Sequence, residues 1–129
     1  MTRPARACID LTALKYNFNR ARLAAPGSSV MAIIKANAYG HGLLPAAQAL
    51  GDADAFGVAM LEEAILLREA GFDRRIILLE GAFDAWEAML IIGYRVDVVV
   101  HHRSQLEMLE RMRLSRPVDV WLKLDTGMH

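Results

Sequence analysis

Short apolar runs alternate with amphipathic stretches along most of the chain. The runs that read as buried strands begin near residues 30, 55, 76, 96 and 118, at intervals of 25, 21, 20 and 22 residues. Parallel strands that are covered on both faces are nearly continuous in apolar residues, and each interval leaves room for one helix. The pattern therefore predicts an α/β fold with about five parallel strands and intervening helices, the strands lying at 30–34, 55–59, 76–79, 96–100 and 118–124.

Helical spacing fills the intervals between these strands. Asp10 is a favourable N-cap for a first helix, in which Leu11, Leu14 and Phe18 share one face. Residues 7–9 ahead of it are predicted to form a short strand. Further helices are predicted at 43–50, from Met60 to a stop at Gly71, at 85–92, and at 104–112 with Ser104 as the cap.

Two architectures accommodate this alternation: an open, doubly wound sheet and a (β/α)8 barrel. No Gly-x-Gly-x-x-Gly motif follows the first predicted strand, so the dinucleotide-binding version of the open sheet has no direct support. The periodicity alone leaves both architectures open.

Composition narrows the class of protein. Fifteen basic and fifteen acidic residues give a net charge of zero, so we expect no nucleic-acid partner and no membrane partner. The first ten residues lack the apolar segment of a signal peptide, which favours a cytoplasmic location. The single cysteine, Cys8, excludes an internal disulfide and is predicted to be a small buried residue.

Lys35 stands at the carboxyl end of the first predicted strand and opens the segment KANAYGHG at 35–42. Lysine is seldom buried without a partner, because desolvating an ammonium is costly. Desolvation also lowers the pKa of an amine, and a neutral amine is the form that reacts with a carbonyl cofactor. The residues alone leave two interpretations open: a cofactor-binding lysine, or a strand-end lysine with its head in water.

The segment at 35–42 closely resembles the cofactor-lysine segment of the alanine racemases, the pyridoxal-phosphate enzymes that interconvert L- and D-alanine. The resemblance covers essentially the whole chain, with further matches at 3–7, 9–11, 78–81 and 121–128. It implies a (β/α)8 TIM-type barrel followed by a separate C-terminal β domain. Because such a barrel takes roughly 250 residues, 1–129 is expected to be the N-terminal part of the barrel domain, truncated before closure and without the C-terminal domain.

The resemblance also implies roles for individual residues. Lys35 matches the catalytic lysine that holds pyridoxal 5'-phosphate as a Schiff base and then acts as one of two bases. Tyr39 matches the tyrosine whose hydroxyl contacts the cofactor phosphate, and Gly40 and Gly42 are expected to permit a tight turn. His41 has no proton-transfer role in the family, so we expect it to be structural.

Two further candidate site residues, Lys123 and Met128, lie near the end of the chain. Alternation along 118–124 places Asp119, Trp121 and Lys123 on one face. In a barrel one face of each strand lines the interior, and Lys123 is expected to be buried there. Lys123 matches a lysine that is carbamylated in many alanine racemases, a change that replaces a cation with an anion. Met128 matches a residue near the substrate carboxylate, with its backbone amide as the expected contact.

The function implied by the resemblance is two-base racemisation of alanine in a full-length homodimer. The second base would be a tyrosine from the partner's C-terminal domain, so 1–129 alone is expected to be inactive. One alternative is another pyridoxal-phosphate barrel enzyme, such as a basic amino-acid decarboxylase, although those proteins are not expected to carry the complete segment at 35–42. A second alternative is a catalytically inactive cofactor-binding or interaction fragment.

The remaining polar clusters favour structural interpretations. Glu62 and Glu63 are predicted to form the acidic first turn of a helix. His101 and His102 lack spaced Cys, Asp or Glu partners, so no metal site is predicted.

Overall fold

The computed structural model describes residues 4–112 and 114–127. Its helices and strands alternate as the sequence pattern predicts, apart from one additional short helical segment after the first strand of the sheet. Each of the five strands predicted for the sheet forms within two residues of its expected ends. In chain order the elements are α1 (Leu11–Ala24), β1 (Met31–Ile33), α2 (Lys35–Tyr39), α3 (Leu43–Ala49), β2 (Ala55–Val58), α4 (Leu61–Glu69), β3 (Arg75–Leu78), α5 (Ala85–Gly93), β4 (Asp97–Val100), α6 (Arg103–Arg111) and β5 (Val120–Leu122).

The strands form one parallel sheet in the order β1-β2-β3-β4-β5. Each strand therefore lies beside the next strand of the chain. A doubly wound sheet reverses its direction of growth at a switch point, whereas a barrel adds every new strand on the same side. The observed order is that of a barrel, and it decides between the two architectures that the periodicity leaves open.

The core lies between the sheet and its helices. In the parallel register Phe56 of β2 pairs with Ile76 of β3, and both side chains are fully buried. Leu67 of α4 and Ile91 of α5, also fully buried, belong to the same core. Burying each large aliphatic side chain contributes roughly 1.5–3 kcal/mol, so this face fixes the helices against the sheet and holds the carboxyl ends of the strands in place.

Charged side chains link three strands on the other face of the sheet, near the amino ends. Arg75 of β3 lies 3.3 Å from Asp97 of β4 and 3.0 Å from Asp119, just before β5. Asp97, only 9% exposed, also accepts a hydrogen bond from the indole of Trp121. Asp119 and Trp121 therefore share a face, as the alternation predicts.

Arg68 of α4 joins the loops that precede β3 and β4. Its guanidinium donates to the carbonyl oxygens of Phe72, Arg74, Tyr94 and Arg95 over 2.6–2.8 Å. Burial, and then the positive charge of Arg95, lowers the pKa of Arg68, although a guanidinium stays charged at neutral pH. The amino ends of these two strands are thereby fixed to one helix.

Three local predictions are wrong. Residues 7–9 form no strand, because all three are exposed and none pairs with another strand in the described part of the chain. Cys8 lies in that stretch and is exposed rather than buried. Ser104 does not cap α6; the helix begins one residue earlier, and the Nδ1 atom of His102 accepts from the Ser104 amide at 3.2 Å.

Among the described residues, no helix combines the length and the apolar composition needed to cross a bilayer.

Candidate active site

A left-handed turn follows Lys35 at the carboxyl end of β1. The four residues at 36–39 have φ between 52° and 55°, and none of them is a glycine. Left-handed geometry costs an L-residue roughly 1–2 kcal/mol, and runs of it are rare. Backbone strain of this kind persists only where the surrounding structure holds it, and it concentrates at functional sites. Gly40 and Gly42, with φ of 86° and 96°, complete the tight turn that the sequence predicts.

The carboxylate of Glu63 holds this turn from outside. Its Oε1 atom accepts a hydrogen bond from the Asn37 amide at 2.9 Å. Its Oε2 atom accepts from the amides of Ala59 and Met60 at 3.1 and 3.3 Å. One half-buried side chain therefore binds the turn after β1 to the loop after β2, so the left-handed backbone depends on a contact 26 residues away.

Further hydrogen bonds close the turn from within. The side-chain oxygen of Asn37 accepts from the Leu43 amide at 2.7 Å, which ties the turn to the start of α3. The Nδ1–H group of His41 donates to the Ala38 carbonyl over 2.8 Å. This contact is the kind expected of a structural histidine.

The Lys35 amine and the Tyr39 hydroxyl belong to the same rigid turn. Lys35 is half-buried, and within residues 4–112 and 114–127 its side chain makes no hydrogen bond or salt bridge. Tyr39 is 61% exposed. A primary amine can react with a carbonyl carbon, and a phenolic hydroxyl can donate a hydrogen bond to an anionic group.

Lys123 directly follows β5, so it lies at the carboxyl ends of the strands, as Lys35 does. The two lysines are far apart in the strand order, because β1 and β5 are the two outer strands of the sheet. Its amide donates to the Val100 carbonyl at 3.0 Å, which continues the β4–β5 ladder. The expected burial of Lys123 is wrong for this chain: the residue is exposed, because no element of the described part covers its side of the sheet. Met128, the expected substrate contact, lies outside the described residues.

Three of the helices that follow strands have a capping side chain at the same helical position. The third helical residues of α4, α5 and α6 are Glu63, Glu87 and Gln105, and each accepts from backbone N–H groups of the loop before its own helix. Only Glu63 also accepts from the turn that carries Lys35. Within residues 4–112 and 114–127, no three His, Cys, Asp or Glu side chains gather into a metal site.

The family of the chain follows from comparison with known proteins. Residues 9–129 match the sequence model of the family described as "Alanine racemase, N-terminal domain". The chain belongs to the alanine racemase family. Its five sequentially ordered parallel strands are therefore those of the N-terminal barrel domain of an alanine racemase.

Individual relatives agree with this assignment. Alanine racemase from Shewanella baltica is 55% identical over 124 residues, which cover 96% of this chain and 35% of that protein. The structure of biosynthetic alanine racemase from Pseudomonas aeruginosa superposes with a TM-score of 0.89 at 45% identity, covering 94% of this chain and 34% of that one. Alanine racemase from Acinetobacter baumannii gives a TM-score of 0.84 at 41% identity, covering 93% and 35%. The chain thus spans about a third of the relatives that it matches.

The contact between Glu63 and the turn after β1 is missed by the sequence pattern. Glu62 and Glu63 do form the acidic first turn of α4, as predicted. That assignment accounts for the bonds to Ala59 and Met60, because an acidic residue at this position commonly caps its own helix. The bond to Asn37 depends on how two loops pack, and no local spacing signals it.

Proposed function

We propose that this chain forms the cofactor-binding part of an enzyme that interconverts L- and D-alanine, with pyridoxal 5'-phosphate bound through Lys35. The observation that carries the proposal is the position of Lys35: a half-buried amine without a partner in the described part of the chain, opening a rigid turn at the carboxyl edge of a barrel sheet. Active sites of such barrels lie at this edge.

The residues present fit the cofactor. Lys35 supplies the primary amine that a pyridoxal aldehyde needs, and Tyr39 supplies a hydroxyl donor for its phosphate. When bound, the cofactor supplies an electron sink that makes the α-proton of an amino acid acidic. Both side chains are carried by the same short segment, and in the proposed function the amine and the hydroxyl bind two ends of one cofactor molecule.

Lys35 then serves a second purpose in the proposed reaction. The Lys35 amine would also remove or return the α-proton of alanine on one face of the α-carbon. By resemblance, the base on the other face is a tyrosine from the C-terminal domain of the partner in a cytoplasmic homodimer. Met128 would offer its backbone amide to the alanine carboxylate, and Lys123 would act as a carbamate.

Family membership favours racemisation over the alternative of amino-acid decarboxylation. One observation supports the alternative that residues 1–129 by themselves are an inactive cofactor-binding or interaction fragment. Their match covers only 35% of the length of the relative from Shewanella baltica. We propose that these residues form a partial barrel domain, that the C-terminal β domain lies outside them, and that they do not racemise alanine alone.

Borohydride reduction tests the proposal. A full-length form of the protein is incubated with pyridoxal 5'-phosphate, reduced and digested, and the pyridoxyl group is located by peptide mapping. We expect the label on Lys35, and Lys35→Ala should abolish both the absorbance of the bound cofactor and racemisation. Lys15, an exposed α1 lysine paired with Asp52 at 3.5 Å, is the matched control: Lys15→Ala should change neither. A label on Lys15 or Lys123 in place of Lys35 would overturn the assignment.

A further inference from the structure

Glu63 uses both oxygens of its carboxylate as acceptors for three backbone amides in two separate loops. The amides of Ala59 and Met60 lie on one side, in the loop before α4, and the amide of Asn37 lies on the other. All three partners are donors. A carboxylate can accept hydrogen bonds from both loops at once, because both of its oxygens are acceptors.

A glutamine at position 63 could accept hydrogen bonds from only one of the two loops. Its oxygen can accept from one loop, but its NH2 group would then point at an N–H donor of the other loop. The geometry therefore requires the charge and symmetry of Glu63 and not merely a side chain of its size. Hydrogen bonds to a charged acceptor are also stronger than those to a neutral one.

The Asn37 amide, one of the three that Glu63 binds, lies between Lys35 and Tyr39 in the sequence. Asn37 is two residues after Lys35 and two residues before Tyr39, in the middle of the left-handed run. Released from Glu63, the strained residues can relax toward conformations that L-residues favour. Relaxation would leave Lys35 attached to the end of β1 but would redirect Tyr39.

We propose that Glu63 is a positioning residue for the cofactor phosphate: its carboxylate holds the turn so that the Tyr39 hydroxyl faces the phosphate while Lys35 faces the aldehyde. This inference rests on the proposed function, because it assumes that the cofactor binds between these two side chains. Glu63 itself touches neither the cofactor nor the substrate.

Two aldehydes separate a positioning role from a general structural one. Pyridoxal 5'-phosphate and pyridoxal share the carbonyl that reacts with Lys35, but only the first carries the phosphate. We expect Glu63→Gln to weaken binding of pyridoxal 5'-phosphate roughly tenfold or more, the loss that one charged hydrogen bond accounts for. Binding of pyridoxal should change by less than about threefold. Affinities are read from the absorbance of the bound aldehyde, and the site is verified by reduction and mapping.

Glu62→Gln is the matched control, since Glu62 is the exposed neighbour on the same helix turn and its side chain makes no hydrogen bond or salt bridge in the described part of the chain. It should leave both affinities at their original values. Tyr39→Phe should reproduce the selective loss, and the double variant with Glu63→Gln should lose little more than either alone, because both changes disable one interaction.

Several results would overturn the inference: an unchanged phosphate preference in Glu63→Gln, an equal loss for both aldehydes, or additive losses in the double variant. Failure of the proposed function looks different, because then neither aldehyde would label Lys35 in the unaltered protein.

Hydrogen exchange on the unaltered protein tests the inference even if Glu63→Gln does not fold. Without cofactor, the Asn37 amide should exchange far more slowly than in an unstructured peptide. Exchange at the peptide rate would show that Glu63 does not hold the turn and would overturn the proposal.

Discussion

The indole Nε1–H of Trp121 donates a hydrogen bond to the Oδ2 atom of Asp97 over 2.9 Å, from β5 to its neighbour β4. The same Asp97 oxygen lies 3.3 Å from Arg75 of β3. One largely buried carboxylate thus joins three strands side by side. β5 has only three residues, so this side-chain contact adds to a short backbone ladder.

Trp121→Phe should destabilise the protein by about 1–2 kcal/mol. The substitution keeps an aromatic ring but removes the donor, and hydrogen bonds to charged groups contribute roughly 1.5–3 kcal/mol; Arg75 remains as a partner for Asp97. The measurement is the free energy of unfolding from a denaturant titration followed by circular dichroism.

Trp86→Phe provides the matched control, because Trp86 is 65% exposed on α5 and makes no hydrogen bond through its side chain in the described part of the chain. Its free energy of unfolding should stay within about 0.5 kcal/mol of the original. Equal effects of the two substitutions would contradict the assigned contribution of the Asp97 contact.

Ala36→Gly should stabilise the protein by up to about 1 kcal/mol. Ala36 has φ of 53° and is exposed, so a glycine relieves the left-handed penalty of roughly 1–2 kcal/mol and offsets its own greater backbone entropy. Thermal unfolding under identical buffer conditions measures the change.

Ala21→Gly is the opposite case. Ala21 is exposed in the right-handed helix α1, where glycine costs about 1 kcal/mol relative to alanine. The two substitutions are chemically identical and should shift the unfolding temperature in opposite directions. Destabilisation by both would show that the left-handed turn does not strain Ala36.

The strands and most helices follow from the sequence because their cause is local. Residues 55–58, for example, are a run of apolar side chains that are all buried, and burial of such a run needs no knowledge of distant residues. The strand order was left open by the periodicity, because alternation of strands and helices is common to open sheets and barrels. The resemblance of 35–42 supplied the barrel, which the order of the sheet confirms.

Lys123 should be carbamylated in the active protein if the resemblance holds for this residue. Intact-mass measurement in carbon-13 bicarbonate should then show a labelled adduct. Lys123→Ala should lower activity, and a small carboxylic acid should restore part of it by replacing the anion. Absence of both the adduct and the rescue would indicate an unmodified lysine.

Residues 1–129 alone should not convert L-alanine to D-alanine. By resemblance the second base lies in another domain, and loss of one proton-transfer group costs on the order of 10²–10⁴-fold in rate. In such barrels, phosphate sites are often completed by the loops after strands seven and eight. The assay measures D-alanine with excess pyridoxal 5'-phosphate against a full-length relative. Turnover within about tenfold of that control would contradict the prediction.

The candidate site was only partly predictable. Lys35 and Tyr39 come from a continuous segment, so the resemblance identifies both. The left-handed backbone between them could not be predicted from the segment, because Ala, Asn and Tyr favour other conformations. The contact that holds this backbone comes from Glu63, 26 residues after Asn37. Cys8 was misplaced for a similar reason: its type favours burial, but its stretch pairs with no strand in the described part of the chain.

The dependence of the left-handed turn on Glu63 limits how this segment can be reused in protein engineering. Residues 35–42 grafted onto another barrel would bring the lysine and the tyrosine, but an isolated copy would adopt the right-handed or extended backbone that its residues favour. The smallest transplantable unit is therefore β1 to α4, which is two β/α repeats, since that span supplies both the strained turn and the carboxylate that holds it.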